Sequence, residues 1–228
     1  TNHEAANDRF FRPVWAEIDL SAIAFNMRQF RRLYPRKLLM AVVKADAYGH
    51  GAVPVAETVL AAGADWLGVA FVEEGLALRQ AGIQAPILVL GTTREEAAIE
   101  AAVRAGLALT VYEEDNLTQM AELARRAGKR LAVHVKVDTG MNRIGVKGAE
   151  TAVALLQLAA GQPWIETQGL YTHFATADEA DKGFTRRQYE AFMGIASVLE
   201  QRRLKPPILH CANSAAAIDM QEVAADML

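Results

Sequence analysis

The segment Leu38–Gly51 reads Leu-Leu-Met-Ala-Val-Val-Lys-Ala-Asp-Ala-Tyr-Gly-His-Gly and joins two features. A short apolar run ends directly at Lys44, and a loop rich in small residues follows it. A run of this kind is typical of a strand buried on both faces of a parallel sheet. Lys44 is then either a solvent-facing lysine or an amine at a barrel mouth, ready to form a Schiff base.

The same pattern of a short apolar run followed by a helical segment continues along the chain. The predicted strands are Leu38–Val43, Trp66–Ala70, Pro86–Leu90, Leu107–Tyr112, Leu131–Val137, Ile165–Phe174 and Ile208–Ala212. The predicted helices between them are Val55–Leu60, Glu73–Gln80, Glu95–Arg104, Leu117–Arg126, Ala149–Ala160 and Arg186–Arg203. This alternation predicts an α/β fold with repeated βα units and a parallel sheet. Seven units favour a (β/α)8 TIM-type barrel over an open doubly wound sheet.

The two ends of the chain fall outside this count. Residues 1–13 are interpreted as an N-terminal extension, and residues 14–34 as a strand and a helix capped by Asp19 or Ser21. The early strand could be the eighth strand of the barrel, or it could pair elsewhere. The sequence stops at Leu228, where the spacing calls for another strand. We therefore expect residues 35–228 to form a barrel that is incomplete at its C-terminal end, cut before the eighth strand.

Composition excludes several classes of protein. Of the 228 residues, 52% are apolar and 22% are charged, which is enough to bury a core and argues against disorder. The net charge of −3 provides no basic surface for nucleic acid. The apolar runs are too short to span a membrane, and the first residues, Thr-Asn-His-Glu-Ala-Ala-Asn-Asp, lack the basic and apolar regions typical of a signal peptide. A single cysteine, Cys211, excludes internal disulfides, so a reducing cytoplasm is the expected location.

Polar residues on the fifth predicted strand alternate with valines. His134, Lys136 and Asp138 would face the barrel lumen, while the valines would face the helices. Inward polar groups are unfavourable unless they are paired or used. The pattern therefore indicates either a structural polar network or a functional site.

Three further strand ends carry residues with both a functional and a plain structural interpretation. Asn213 and Ser214 open a helix, where they could hold a phosphate or serve as an ordinary N-cap. His173 could lie against a flat ring or be a core histidine. Arg143 could clamp a carboxylate or phenolate, or lie on the surface. A reactive lysine and a phosphate site in one barrel are the chemistry of pyridoxal phosphate.

One other motif is rejected and two are disfavoured. Asp138-Thr139-Gly140 matches the aspartic-protease tripeptide, but no second copy and no all-β pattern accompany it. Gly49-His50-Gly51 lacks the third glycine of a dinucleotide-binding loop. A metal site is disfavoured because the spacing of its candidate ligands fits no standard geometry. Those candidates are His173, Asp178 and Asp181.

Several motifs, in the same order along the chain, resemble the alanine racemase family. The matching segments are Trp15–Leu20, Ala41–Gly51, His134–Gly145, Thr172–Asp178 and His210–Ser214. They cover the chain from about Val14 to its end.

The resemblance implies a role for each matching residue at the cofactor. Lys44 would hold pyridoxal phosphate through its amine and act as one of two bases. Tyr48, Asn213 and Ser214 would help to bind the phosphate. His173 would lie against the pyridine ring.

The resemblance also implies contacts to the substrate and a surrounding layer. Arg143 would bind near the phenolic oxygen of the cofactor and the carboxylate of the substrate. The lysine that matches Lys136 is often carbamylated in this family and then positions that arginine. His134 and His210 would belong to the surrounding polar network.

The resemblance implies interconversion of L- and D-alanine, which supplies D-alanine for peptidoglycan, in a cytoplasmic homodimer. The family's second base is a tyrosine from a C-terminal β domain across the dimer interface, with which the strand at 14–20 would pair. Neither that tyrosine nor that domain lies in residues 1–228, so we expect this chain alone to be inactive. Alternatives are a broad-specificity or lysine racemase, a less similar decarboxylase with the same barrel, and a non-enzymatic single-barrel carrier of pyridoxal phosphate.

Overall fold

A computed structural model describes residues 14–228; the predicted extension over residues 1–13 lies outside the described residues. Its sheet has seven parallel strands whose order in space follows their order in the sequence, as predicted. The strands are β1 (Met40–Val42), β2 (Trp66–Val69), β3 (Ile87–Thr92), β4 (Ala108–Val111), β5 (Leu131–Lys136), β6 (Ile165–Tyr171) and β7 (Ile208–His210). The fold is an incomplete TIM-type barrel, which confirms the predicted class.

Each predicted helix is present between its two strands. The helices are α1 (Leu20–Leu33), α2 (Lys44–Gly49), α3 (Ala52–Ala61), α4 (Val72–Gln80), α5 (Glu96–Ala105), α6 (Glu114–Ala127), α7 (Ala149–Ala160), α8 (Gly183–Gln201) and α9 (Ser214–Asp219), followed by a 3-10 turn at Gln221–Val223. The carboxylate of Asp19 accepts the N–H groups of Ser21 and Ala22, and this bonding confirms the predicted cap of α1.

The last three residues connect the two ends of the sheet. Met227 forms parallel bridges with Leu38, just before β1, and with His210 of β7. The N–H of Leu38 donates to the carbonyl of Asp226, and the N–H of Met40 donates to that of Leu228. Asp226–Leu228 therefore occupies the position of an eighth strand at this level of the barrel.

The strand residues divide into two layers, as the alternation on β5 predicts. Val133, Val135 and Val137 pack in the large core between sheet and helices. Trp66, Leu88 and Ala108, from the neighbouring strands β2, β3 and β4, form a second cluster with Met227, which fills part of the lumen.

Residues 14–19 form no strand in the structure, contrary to the alternation in the sequence. Val14 and Trp15 are 82% and 67% exposed, so this segment has no apolar surface to pack on within the described residues. The helix after it behaves differently, because α1 packs against α3 of the barrel. None of the helices between residues 14 and 228 combines the length and apolarity required to cross a membrane.

Candidate functional site

A cavity of about 570 Å³ opens at the carboxyl ends of the strands. Its volume lies in the range of small-molecule sites, and its position is that of catalytic sites in TIM barrels. Every residue predicted for the site lines it except His134. The predicted residues that line it are Lys44, Tyr48, Lys136, Arg143, His173, His210, Asn213 and Ser214.

The cavity carries an excess of positive charge. Lys44, Lys136 and Arg143 contribute three cations, and the described residues that line the cavity include no aspartate or glutamate. Burial, together with the positive charges of these three side chains, lowers the pKa of His173 to about 4. His173 is therefore neutral near pH 7, and the cavity favours an anionic ligand.

Lys44 begins a turn with an unusual backbone. Ala45, Asp46, Ala47 and Tyr48 have φ between 51° and 57°, so α2 is a left-handed turn without glycine at those positions. A left-handed conformation costs roughly 1–2 kcal/mol per residue for L-amino acids. Strain of this kind persists only where surrounding contacts determine the conformation, and it is concentrated at functional sites. The Nζ of Lys44 lies 5.9 Å from the ring centroid of Tyr48, which is itself 61% exposed.

Lys136 faces the lumen, as the alternation on β5 predicts, and is only 4% exposed. Its ammonium lies 4.2 Å from the ring centroid of Tyr171. Burial, together with the charge of Arg143, lowers the pKa of Lys136 to about 8. A fraction of this amine is therefore neutral and nucleophilic at physiological pH.

A network of uncharged side chains lies in the lumen beside Lys136. Nδ1 of His134 and Nε2 of His210 are 2.9 Å apart, and the ring of His210 stacks on Tyr171 with centroids 4.6 Å apart. The hydroxyls of Tyr171 and Thr110 are 2.8 Å apart. Burial lowers the pKa of both histidines, that of His134 to about 4. Nε2 of His134 is buried without a hydrogen-bond partner within the described part of the chain.

The loop after β5 carries Arg143 and is held by Asp138. Oδ1 of Asp138 accepts the N–H groups of Gly140 and Asn142, both at 3.0 Å. The predicted inward triad therefore reduces to His134 and Lys136, because Asp138 lies beyond the end of β5 and bonds its own loop. At Gly145 a Cβ atom would lie 2.7 Å from the backbone nitrogen of Asp138, so only glycine allows the loop to close.

Asn213 has the plain structural role that its position also predicted. Its Oδ1 accepts the N–H of Ala216 at 3.0 Å and caps α9. No acceptor within residues 14–228 binds the amide nitrogen of Asn213, so this group remains available as a donor in the cavity wall. Ser214 follows at the first position of the helix and is exposed.

Gln188 of α8 is a buried polar residue that the sequence analysis missed. Its Oε1 accepts the N–H of Ala175, and its Nε2 donates to the carbonyl of His173 at 3.2 Å. These two hydrogen bonds fix the backbone of His173 and Ala175. Gln188 occupies the apolar stripe of α8 together with Thr185 and Phe192, and a polar residue in that stripe was a signal that could have identified it.

The cavity has two further features. Helix α1 contributes part of its wall through Ile23, Asn26, Met27 and Phe30. Cys211 lies in the wall as well, where burial raises the pKa of its thiol to about 12, so it is not a nucleophile.

Among residues 14–228, no three His, Cys, Asp or Glu side chains approach one another closely enough to hold a metal ion.

Comparison with known proteins identifies the family of the chain. The family model described as alanine racemase, N-terminal domain, matches residues 18–228. The chain belongs to the alanine racemase family. The match covers the whole barrel, including all nine residues predicted for the site.

Relatives in the alanine racemase family support this assignment. The chain is 46% identical over 220 residues to alanine racemase 1 of Oceanobacillus iheyensis, covering 96% of this chain and 58% of the relative. It is 48% identical over 211 residues to alanine racemase of Geobacillus stearothermophilus, covering 92% of this chain and 53% of the relative. The chain thus spans somewhat more than half the length of these relatives.

Solved alanine racemase structures have the same fold. The Bacillus anthracis enzyme with bound L-Ala-P superposes with a TM-score of 0.90 at 38% identity, covering 96% of this chain and 56% of that one. The Clostridium difficile 630 enzyme in complex with cycloserine superposes with a TM-score of 0.91 at 37% identity, covering 96% and 60%.

Proposed function

We propose that this chain is the cofactor-binding barrel of an enzyme that interconverts L- and D-alanine with pyridoxal phosphate. The observation that carries the proposal is one amine, Lys44, at the mouth of a cavity with three cationic side chains and no aspartate or glutamate among its described lining residues. The cofactor carries a phosphate and a phenolate, and its substrate carries a carboxylate. The charge of the cavity fits these groups, and its volume fits a molecule of that size.

Each side chain has a role that its position supports. Lys44 binds the cofactor covalently through its amine. The amide of Asn213 and the hydroxyls of Ser214 and Tyr48 bind the phosphate. Neutral His173 lies against the pyridine ring, and burial is the main reason that its pKa is low enough to keep it neutral.

Arg143 and Lys136 act together in this proposal. The guanidinium of Arg143 binds the substrate carboxylate and lies near the phenolic oxygen. Lys136 takes up carbon dioxide as a carbamate, which replaces a buried cation beside Arg143 by an anion. The carbamate then orients the guanidinium of Arg143 by a charge-assisted hydrogen bond. His134 and His210 support this layer from the lumen.

The cofactor, when bound, supplies an electron sink that makes the Cα proton of the substrate acidic. Lys44 removes or returns that proton on one face. Inversion of a stereocentre requires a second base on the opposite face, because a single base returns the proton to the side from which it came. We propose that this base is a tyrosine of the partner subunit in a homodimer, outside residues 1–228. A chain of residues 1–228 alone is therefore proposed not to racemise alanine.

Borohydride trapping tests the proposal on the full-length protein that contains this chain. The protein is loaded with pyridoxal phosphate, reduced, digested and analysed by mass spectrometry. We expect the reduced cofactor on Lys44 and none on Lys37, and no adduct in a Lys44→Arg variant. Racemisation of alanine, serine and lysine is measured in parallel, with alanine expected to be fastest. An adduct on another lysine, or no adduct, would show that the assignment of Lys44 is wrong.

A further inference from the structure

The left-handed turn that begins at Lys44 is held by hydrogen bonds to strand β2 and to helix α4. Lys44 stands between two backbone N–H groups that bond outside the turn. The N–H of Val43, on one side, donates to the carbonyl of Gly68 in β2 at 2.8 Å. The N–H of Ala45, on the other side, donates to Oε1 of Glu74 at 2.6 Å. The backbone of Lys44 is thus fixed at both of its ends.

Glu74 also organises the segment on which it stands. Its Oε2 accepts the N–H groups of Ala70 at 2.6 Å and Phe71 at 3.1 Å, where α4 begins. This is the reach-back of a glutamate at the third position of a helix to the residue before it. Phe71 has no polar side chain to reciprocate, so only Glu74 makes the cap. One carboxylate therefore joins the start of α4 to the turn after β1.

The turn needs this contact, because its own hydrogen bonds begin later. The N–H of Ala47 donates to the carbonyl of Val43, and the N–H of Gly51 to that of Asp46. The N–H of Ala45 belongs to the first turn, whose donors have no partner inside the turn. Without Glu74, the N–H of Ala45 would have no acceptor among the described residues.

We propose that Glu74 is a positioning residue for Lys44: it holds the strained turn so that the amine points into the cavity and reacts with the aldehyde of the cofactor. This inference rests on the proposed function of Lys44. It assigns to Glu74 a role in the rate of covalent attachment, and none in binding of the phosphate end.

Glu74→Gln separates this role from the helix cap. A glutamine at the third position still caps a helix, since its single carbonyl oxygen can accept from the two donors at Ala70 and Phe71. Its NH₂ group then faces the N–H of Ala45, which loses its acceptor. Glu73→Gln is the matched control, because Glu73 is the adjacent carboxylate on the same turn of α4 and is exposed. Glu74→Ala removes both functions.

The experiment compares these variants of the full-length protein in three measurements. Hydrogen exchange of peptides covering 44–49 is followed without cofactor. The rate at which added pyridoxal phosphate becomes trapped on Lys44 by borohydride is measured next. Affinity for pyridoxine 5′-phosphate, which has no aldehyde, reports binding without attachment. We expect Glu74→Gln to accelerate exchange and to slow trapping about tenfold, the usual effect of a lost hydrogen bond to a charged group. Its affinity for pyridoxine 5′-phosphate stays within about twofold, and Glu73→Gln behaves as the wild type.

Two results would overturn the role of Glu74. In the first, Glu74→Gln exchanges and traps like the wild type. In the second, it weakens the binding of pyridoxine 5′-phosphate by the same factor as it slows trapping, which would indicate that the whole site is disturbed. A wild type that traps nothing on Lys44 would instead refute the proposed function, while hydrogen exchange would still show whether Glu74 holds the turn. If the Glu74→Ala variant does not fold, the Glu74→Gln variant alone tests the role of Glu74.

Discussion

The imidazole of His134 lies directly over the Cα of Gly169 on the neighbouring strand. The two residues are partners across β5 and β6, where Gln168 forms a bulge that brings the glycine opposite the histidine. A Cβ atom at residue 169 would lie 2.8 Å from Cγ of His134 and closer still to its Nδ1. The hydrogen bond between this ring and His210 therefore depends on a glycine one strand away.

Gly169→Ala is expected to destabilise the protein by about 1–3 kcal/mol, because the new methyl displaces the His134 ring. Urea unfolding of the purified variant measures this. The double variant Gly169→Ala, His134→Ala should be less destabilised than the sum of the two single variants, since the ring that clashes is gone. Gly194→Ala is the control: it lies in α8 with nothing within 4 Å of an added Cβ, and it should stabilise by roughly 0.5–1 kcal/mol. Strict additivity of the double variant would contradict the close approach.

The pKa of His134 makes stability depend on pH. Burial lowers it from 6.5 to about 4. Between about pH 6.5 and pH 4 the unfolded chain binds a proton at this residue and the folded chain does not. The free energy of unfolding therefore falls as the pH falls through this range, and this residue has no effect on it above about pH 6.5. The difference corresponds to about 3 kcal/mol at pH 4. Urea unfolding at several pH values should show a smaller loss for His134→Gln than for the wild type; parallel curves would argue against a buried neutral imidazole.

Much of the fold follows from patterns that act locally. The apolar runs mark all seven strands, and the alternation on β5 alone places His134 and Lys136 inside and the valines outside. The cap by Asp19 also follows from the side chain itself. These features depend on periods of two and 3.6 residues, which a single sequence displays.

The remaining features depend on contacts between distant parts of the chain. Glu74 lies in a segment whose sequence is typical of a helix N-terminus. Only the fold brings its second carboxylate oxygen to the N–H of Ala45. The alternation of residues 14–20 predicts a strand, but a strand forms only where another strand accepts its hydrogen bonds, and the described residues provide none. Left-handed backbone at Ala45 has no local signal, because alanine favours the right-handed helix.

Lys136 is expected to bind carbon dioxide. Its pKa of about 8, lowered by burial and by Arg143, gives a neutral amine fraction that grows as the pH rises toward 9. The full-length protein in ¹³C-labelled bicarbonate should show a carbamate carbon signal by NMR that strengthens over this range at constant dissolved carbon dioxide. Lys136→Gln should lack the signal. A signal that survives in this variant would assign the carbamate to another amine.

Ala45→Gly tests the left-handed turn itself. Glycine adopts positive φ without steric cost, so the substitution removes roughly 1–2 kcal/mol of strain and adds roughly 0.5–1 kcal/mol of chain entropy to the unfolded state. We expect a net stabilisation of between 0 and about 1.5 kcal/mol in urea unfolding. Ala77→Gly is the matched control, because Ala77 is an exposed alanine inside the right-handed helix α4 and should lose about 0.5–1 kcal/mol. If both substitutions destabilise equally, Ala45 is right-handed in solution, and the turn that presents Lys44 is built differently.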